Sequence, residues 1–267
     1  MTHTTTRQPL TRLPLTRLTL ALGALLGAAT LNSAQARTLA EIKASGTLKI
    51  GTNAEFKPFT YFEGKTMKGF EYDLGNAIAR QMGVKAEWIN QPFDNLLIGL
   101  NQNRFDLVIS SHGITPERAR AVDFSLPHYC SGGVILSRPG GPKTAADLKG
   151  KTVSTQVGTT YVDQIKKVTG DRNLRLFPNN AGALQALMSG RVDAMVNEKF
   201  YSLEALKLNG KKLQQGEMLF QEKLGMAVAK GNKTLLGAVN ASLKTVQANG
   251  TYAKISKSHF GQDVRCR

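Results

Sequence analysis

From residue 37 onward, short apolar runs alternate with stretches in which apolar residues recur at helical spacing. A short helix at 38–43 ends at Gly46 and is followed by a strand at 48–51. Leu74, Ile78 and Met82 stand at i, i+4 and i+8, one face of a helix that starts near Gly69 and stops at Gly83. A strand at 85–89, a helix at 95–102 with Leu96, Leu97 and Leu100 inward, and a strand at 107–109 follow. The pattern then restarts, with strands at 132–136, 152–155, 174–177 and 193–196 separated by helical segments at 145–148, 160–168 and 181–189. A strand at 225–229 and helices at 234–247 and 252–260 close the chain. This alternation predicts an α/β fold with largely parallel strands, in two β-α-β-α-β halves. Arg104-Phe105-Asp106-Leu107-Val108 in the first half is echoed by Arg191-Val192-Asp193-Ala194-Met195 in the second. Ligands of open α/β sheets bind beyond the carboxyl ends of the strands, so two such edges face to face make one cleft between two lobes.

Residues 1–36 do not fit that pattern. Arg7, Arg12 and Arg17 form a basic region without acids, an apolar run spans 18–29, and Ala34-Gln35-Ala36 supplies a small-x-small cleavage site. This reads as a signal peptide for general secretion, since no Arg-Arg pair precedes the apolar run and no cysteine near the cleavage site offers a lipid anchor. The expected location is therefore the periplasm. The chain of 267 residues carries a formal charge of +16, and the part after residue 36 stays strongly basic. Its Lys and Arg residues are scattered singly and without interleaved aromatics, which excludes a nucleic-acid partner and leaves solubility and surface association as their role. Four histidines and two cysteines lie far apart with no CxxC or HExxH, so neither a metal nor a cofactor is expected. Cys130 and Cys266 admit both a disulfide and two free thiols.

The stretch from Asp106 to Tyr129 holds the strongest local signal. An apolar strand runs into the small residues Ser110, Ser111 and Gly113, where a backbone can approach a ligand closely. Thr115 as N-cap and Pro116 at the first helical position then start a helix with Arg118 just inside. An arginine fork facing the same point as free backbone N–H groups makes a carboxylate site. Phe56 and Phe93 each lie on a loop after a strand. No enzyme signature accompanies them: Gly150-Lys151-Thr152 lacks the first glycine of a P-loop, Ser111-His112 has no GxSxG elbow, and no GxGxxG occurs.

With these residues in view, the chain resembles the bacterial extracellular solute-binding proteins of family 3, the amino-acid receptors of ABC importers. The resemblance rests on GTNAEFKPFTYFEGKTMKGFEYDLGNAIARQMG at 51–83, SSHGITPERARAVDFSLPHY at 110–129, LKGKTVSTQVGTT at 148–160 and GRVDAMVNEKF at 190–200, and extends over 37–262. It is similar in character to the glutamine, histidine and lysine/arginine/ornithine receptors. The resemblance implies a type II periplasmic-binding-protein fold: two α/β lobes joined by a two-segment hinge, with the ligand cleft between them. Lobe 1 would be 37–129 with 226–267, lobe 2 would be 130–225, and the hinge segments would lie near 128–132 and 221–225. It also implies a monomeric receptor, not an enzyme, that closes on a polar amino acid and delivers it to a membrane permease.

The family's binding roles fall on particular positions here. Arg118 would grip the ligand carboxylate, helped by the backbone at Gly113 and Thr160, with Thr159 also among the ligand-binding residues. Glu198 would hold the ammonium from the second lobe, although the family usually has Asp there. Phe56 and Phe93 would sandwich the side chain, and Ser110 and Ser111 would add polar contacts. Gly113 replaces the hydroxyl residue often found at its position. Asn53 stands where receptors for cationic amino acids commonly place Asp, which favours a neutral polar ligand such as glutamine, with a cationic one second. His112 and Gln156 would line the specificity end. The alternative that the same fold allows is an exported enzyme of the cyclohexadienyl dehydratase type, with Glu198 as general acid.

Overall fold

The structure, a computed structural model, describes residues 1–4 and 35–266. The region read as a signal peptide lies almost wholly outside them, and no described helix is long and apolar enough to cross a membrane. Helix α1 (Leu39–Ser45) opens with a capping box, in which the Thr38 hydroxyl accepts from Glu41 N and the Glu41 carboxylate accepts from Thr38 N at 2.7 Å. Gly46 ends it in the left-handed conformation. Strand β1 (Thr47–Thr52) leads to a small antiparallel sheet of β2 (Glu55–Phe56), β3 (Thr60–Glu63) and β4 (Thr66–Lys68), which the apolar pattern does not reveal. Then come α2 (Phe70–Gln81), β5 (Lys85–Asn90), α3 (Leu96–Asn101), β6 (Leu107–Gly113), α4 (Pro116–Ala121) and β7 (Val122–Phe124).

Strand β8 (Tyr129–Ser137) begins the second half, followed by β9 (Val153–Gln156), α5 (Tyr161–Thr169), β10 (Leu174–Phe177), α6 (Asn180–Met188), β11 (Ala194–Glu198) and α7 (Lys199–Asn209). Strand β12 (Gln214–Ala229) returns, and α8 (Lys233–Ala248) and α9 (Thr251–Phe260) finish the fold. The main sheet has nine strands, ordered β10-β9-β11-β8-β12-β6-β1-β5 with β7 beside β12. The expectation of a largely parallel sheet needs correction. Only β5-β1-β6 and β10-β9-β11 are parallel, while β11-β8, β8-β12 and β12-β6 are antiparallel. The physical reason is connectivity: β8 carries the chain into the second half and β12 brings it back, so they run side by side in opposite senses.

Alternation along each strand feeds two faces, both covered by helices. Leu107 and Ile109 pack with Ile50, Leu74, Ile78 and Leu243 on one face, while Val108 packs with Leu96, Leu100 and Phe105 on the other. In the second half Met195 joins Leu136, Ala183 and Leu187, and Ala194 and Val196 join Val153 and Ile165. The echoed sequence motifs have one structural job. Asp106 accepts from Lys49 N at 2.8 Å and Asp193 accepts from Thr152 N at 2.7 Å, so each aspartate fastens its strand to the start of a neighbouring strand segment. Cys130 and Cys266 form a disulfide, and Cys130 N donates to Val264 O at 3.1 Å, tying the last turn of chain to the start of β8.

Candidate functional site

The carboxyl end of β6 and the start of α4 build one wall of a partly enclosed cavity. The Thr115 hydroxyl accepts from Arg118 N at 3.2 Å and fixes the first turn of α4, as its capping pattern requires. That turn aims the Arg118 guanidinium inward, where Nη1 donates to Gly113 O at 2.8 Å and Nη2 to Gly158 O at 2.7 Å. Gly158 belongs to the loop after β9, so the arginine spans the space between the two halves of the chain. Burial depresses the Arg118 pKa, and the charge of Glu222 partly restores it.

Asn53, Phe56, Phe93, Ser110, Ser111 and Gly113 line the cavity beside Arg118, and Gln156, Thr159 and Thr160 line it opposite. Each of these was expected from the sequence. Tyr161, Asn180 and Asn197 also line it and were not expected. The amides form a chain: Asn197 Nδ2 donates to Asn180 Oδ1 at 2.7 Å, Asn180 Nδ2 to Gln156 Oε1 at 2.7 Å, and Gln156 Nε2 to Pro178 O at 3.2 Å. On the other wall Asn53 Nδ2 donates to Gln91 O at 3.3 Å and Asn53 N to Ser110 Oγ at 3.1 Å. The lining thus carries amides, hydroxyls and one cation, Arg118, and no carboxylate.

The aromatic rings are each backed by their own partners. Phe93 stacks on His112 at 4.4 Å between centroids, with the Arg118 guanidinium carbon 5.9 Å from the Phe93 centroid. His112 was expected at the specificity end; it is 2% exposed and lies behind Phe93, outside the lining. Burial first, and the Arg118 charge second, hold its pKa well below the ordinary value, so it is a neutral ring. Phe56 stacks on Phe59 at 5.0 Å and on Tyr201 at 5.4 Å.

Glu198, expected to face the ligand, is not among the lining residues. It is fully buried at the N-cap of α7, where Oε2 accepts from Tyr201 N at 2.8 Å and from Phe200 N, and Oε1 accepts from the Ser131 hydroxyl. As the residue before α7, Glu198 turns its carboxylate onto the helix N-terminus, where N–H groups and the dipole favour an anion. A second acid, Glu222 of β12, gave no sequence signal because it sits in a polar stretch. Its Oε2 accepts from Thr160 Oγ1 at 2.7 Å and its Oε1 from Tyr161 OH at 3.0 Å. A Cβ on residue 113 would lie 2.5 Å from Glu222 Oε2, so the missing side chain at Gly113 is what makes room for this carboxylate. Burial raises the pKa of Glu222, and the Thr160 and Tyr161 hydroxyls and Arg118 work against that rise.

Burial also pushes the Glu198 carboxyl up to about 8; Ser131 and the α7 N–H groups oppose the shift, and the charge of Glu222 adds to it. Between the ordinary 4.5 and about 8 the unfolded chain has released this proton and the folded chain still holds it. Stability of the ligand-free protein should therefore fall as pH rises through that window and level off above it, at up to about 1.4 kcal/mol per unit of pH. Thermal melts of the ligand-free protein across this range check this, and Glu198→Gln should flatten the dependence.

No group of three or more His, Cys, Asp or Glu residues able to hold a metal occurs among the described residues. The bacterial extracellular solute-binding proteins, family 3, provide a sequence model that matches residues 48–262. The chain is 32% identical over 250 residues to the L-cystine-binding protein TcyJ of Escherichia coli (strain K12), covering 91% of this chain and 94% of that protein. It superimposes with a TM-score of 0.77 on an ancestral arginine-binding protein bound to glutamine, at 39% identity, covering 81% of this chain and 99% of that one. It superimposes equally, TM-score 0.77 and 37% identity, on the ancestral amino acid-binding protein AncCDT-1, a precursor of cyclohexadienyl dehydratase, covering 83% of this chain and 99% of that one.

Proposed function

The chain belongs to the bacterial extracellular solute-binding proteins, family 3, and from that premise we propose that it binds a neutral polar amino acid as a zwitterion held at both ends. Its fold is the type II periplasmic-binding-protein fold, two α/β lobes joined by a two-segment hinge around a ligand cleft. It is an extracytoplasmic receptor that captures an amino acid by hinge closure and delivers it to the permease of an ABC importer. We place lobe 1 at 37–129 with 226–267 and lobe 2 at 130–225, with the hinge where Tyr129 to Gly132 of β8 pair with Leu224 to Gln221 of β12.

The observation that carries the ligand class is the lining itself, in which one arginine faces amides and hydroxyls without any acid. A guanidinium has five N–H groups. Two of those on Arg118 go to Gly113 O and Gly158 O, and the others are left for a ligand carboxylate. The ammonium goes toward the side where, behind the lining residues Thr160 and Tyr161, Glu222 stands close enough to Glu198 for the charge of one to oppose ionisation of the other. A cation between them removes that repulsion. The side chain then meets Asn53, Gln156, Asn180 and Asn197, groups that donate and accept without offering a countercharge to a guanidinium or ammonium. Glutamine suits this best, and a cationic amino acid suits it less. Cystine, named for the relative in Escherichia coli, is also neutral and polar.

Because the ligand needs the arginine of one lobe and the acid of the other, only the closed form satisfies both, and closure follows from the ligand's differential affinity. The enzyme alternative draws on one observation, the raised pKa of Glu198, which suits a general acid. Glu198 already serves as the cap of α7, with its two oxygens held by the Ser131 hydroxyl and by the Phe200 and Tyr201 N–H groups, so neither is presented as a proton donor. Export by residues 1–36, a periplasmic location and a monomeric state complete the reading. A thermal-shift screen of the purified protein against the twenty amino acids, ornithine and cystine tests the ligand class. Neutral polar amino acids should give the largest shifts. Shifts confined to arginine, lysine and ornithine would overturn the reading of the amide-lined end, and turnover of prephenate or arogenate would overturn the receptor.

A further inference from the structure

Ser111 has φ +48°, and among the described residues only it and Asn103 combine a side chain with a left-handed backbone. Asn103 sits in a turn after α3, and asparagine tolerates that conformation. Serine in the body of a strand does not, and strain of this kind persists only where the surroundings over-determine it. Ser111 lies within β6 and lines the cavity. The group that holds it is Glu71, in the first turn of α2, which is 0% exposed. Glu71 Oε1 accepts from Ser111 N at 2.7 Å and lies 2.8 Å from His128 Nε2.

His128 is fully buried and immediately precedes β8, the strand that carries the chain into the second half. Its own backbone is fixed on both sides: its N donates to Leu224 O of β12 at 2.9 Å, and its O accepts from Tyr252 OH at 2.5 Å. One carboxylate oxygen therefore joins the strained wall of the cavity to the root of both crossing strands.

We propose that Glu71 is a positioning residue that holds Ser111 in its strained shape and ties that shape to the crossing strands through His128, so that the binding wall and the hinge move as one unit. It does not touch the ligand. The proposal rests on the receptor reading only where ligand affinity is the readout.

The test is a double-mutant cycle with glutamine as the probe. Glu71→Met removes the acceptor, Glu71→Gln keeps a carbonyl oxygen for the same N–H, and Ser111→Gly lets the backbone adopt positive φ without help. Glu71→Met should weaken glutamine binding at least tenfold with Ser111 present and less than threefold in the Ser111→Gly background. Glu71→Gln should stay within threefold of wild type. Loss of the Ser111 hydroxyl affects both members of the second pair equally and so drops out of the ratio. Amide hydrogen exchange in the ligand-free protein supplies a readout that needs no ligand. Exchange across 107–113 should speed up at least tenfold in Glu71→Met and return toward wild type when Ser111→Gly is added. Equal losses of affinity in both backgrounds, or unchanged exchange at 107–113, would overturn the proposal and leave Glu71 as an ordinary core residue. If wild type does not bind glutamine, the ligand assignment fails, and the exchange experiment still decides the role of Glu71.

Discussion

Arg118→Ala should abolish amino-acid binding at ordinary ligand concentrations while leaving the ligand-free protein folded with an unchanged or slightly higher melting temperature. The two halves of this expectation have different causes. In binding, removal of one member of a buried, hydrogen-bonded charge pair costs about 2–5 kcal/mol, roughly 30- to 5,000-fold in affinity. In folding, Arg118 is a liability, because burial depresses its pKa and its two hydrogen bonds go to backbone carbonyls, not to a carboxylate. A site that stores an unfavourable group for its ligand trades stability for function. Arg118→Lys keeps the charge and loses the fork, so it should fall between the two. Calorimetric titration and thermal melts of the same samples measure both halves. A variant that binds normally would remove Arg118 from the site.

The second large effect is expected at the disulfide between Cys130 and Cys266. Serine at both Cys130 and Cys266 should lower the melting temperature by on the order of 10 °C, corresponding to about 2–5 kcal/mol of lost stability. The bond closes a loop with a sequence separation of 136, long enough for a large effect on the unfolded ensemble. It also pins the tail beside the start of β8, where Cys130 N already holds Val264 O. Cys130 and Cys266 are absent from the cavity lining, so affinity for the amino acid should change much less than stability. Melting with and without reductant gives the comparison. A melting temperature indifferent to reductant would mean that the bond does not contribute to the fold under those conditions.

Much of this architecture can be read from apolar spacing, and the exceptions have physical reasons. Leu74 and Ile78, with Met82 at the C-cap, mark α2 because one face of that helix is core and the other is solvent. In α7 the rule fails: Phe200, Tyr201 and Ala205 are buried, yet Leu203 and Leu208 are exposed, so no single apolar stripe marks the helix. The first part of β12 carries Glu217, Gln221, Glu222 and Lys223 on a partly exposed ribbon, and only its last residues form a continuous buried run. Pairing with β8, which no local pattern encodes, makes it a strand.

The site divides in the same way. Arg118 is legible because Thr115 and Pro116 announce the helix start that aims it. Asn180 and Asn197 reach the cavity from the start of α6 and the end of β11, and a lone asparagine in either place reads as a cap. Glu222 lies beside Gly113, behind the lining, only because Gly113 has no side chain, a complementarity between two strands far apart in sequence. Glu198 illustrates the opposite failure, since its charge type fits the expected role and its place just before α7 engages the carboxylate as a helix cap.

The most direct measurement is calorimetric titration of the purified protein with glutamine and with two analogues, N-acetylglutamine and glutamine amide, which lose the ammonium and the carboxylate respectively. Free glutamine should bind, and each blocked form should lose at least 100-fold, because Arg118 and the Glu198–Glu222 wall each forfeit their charged partner. Binding of either analogue as tightly as glutamine would contradict recognition of a zwitterion at both ends.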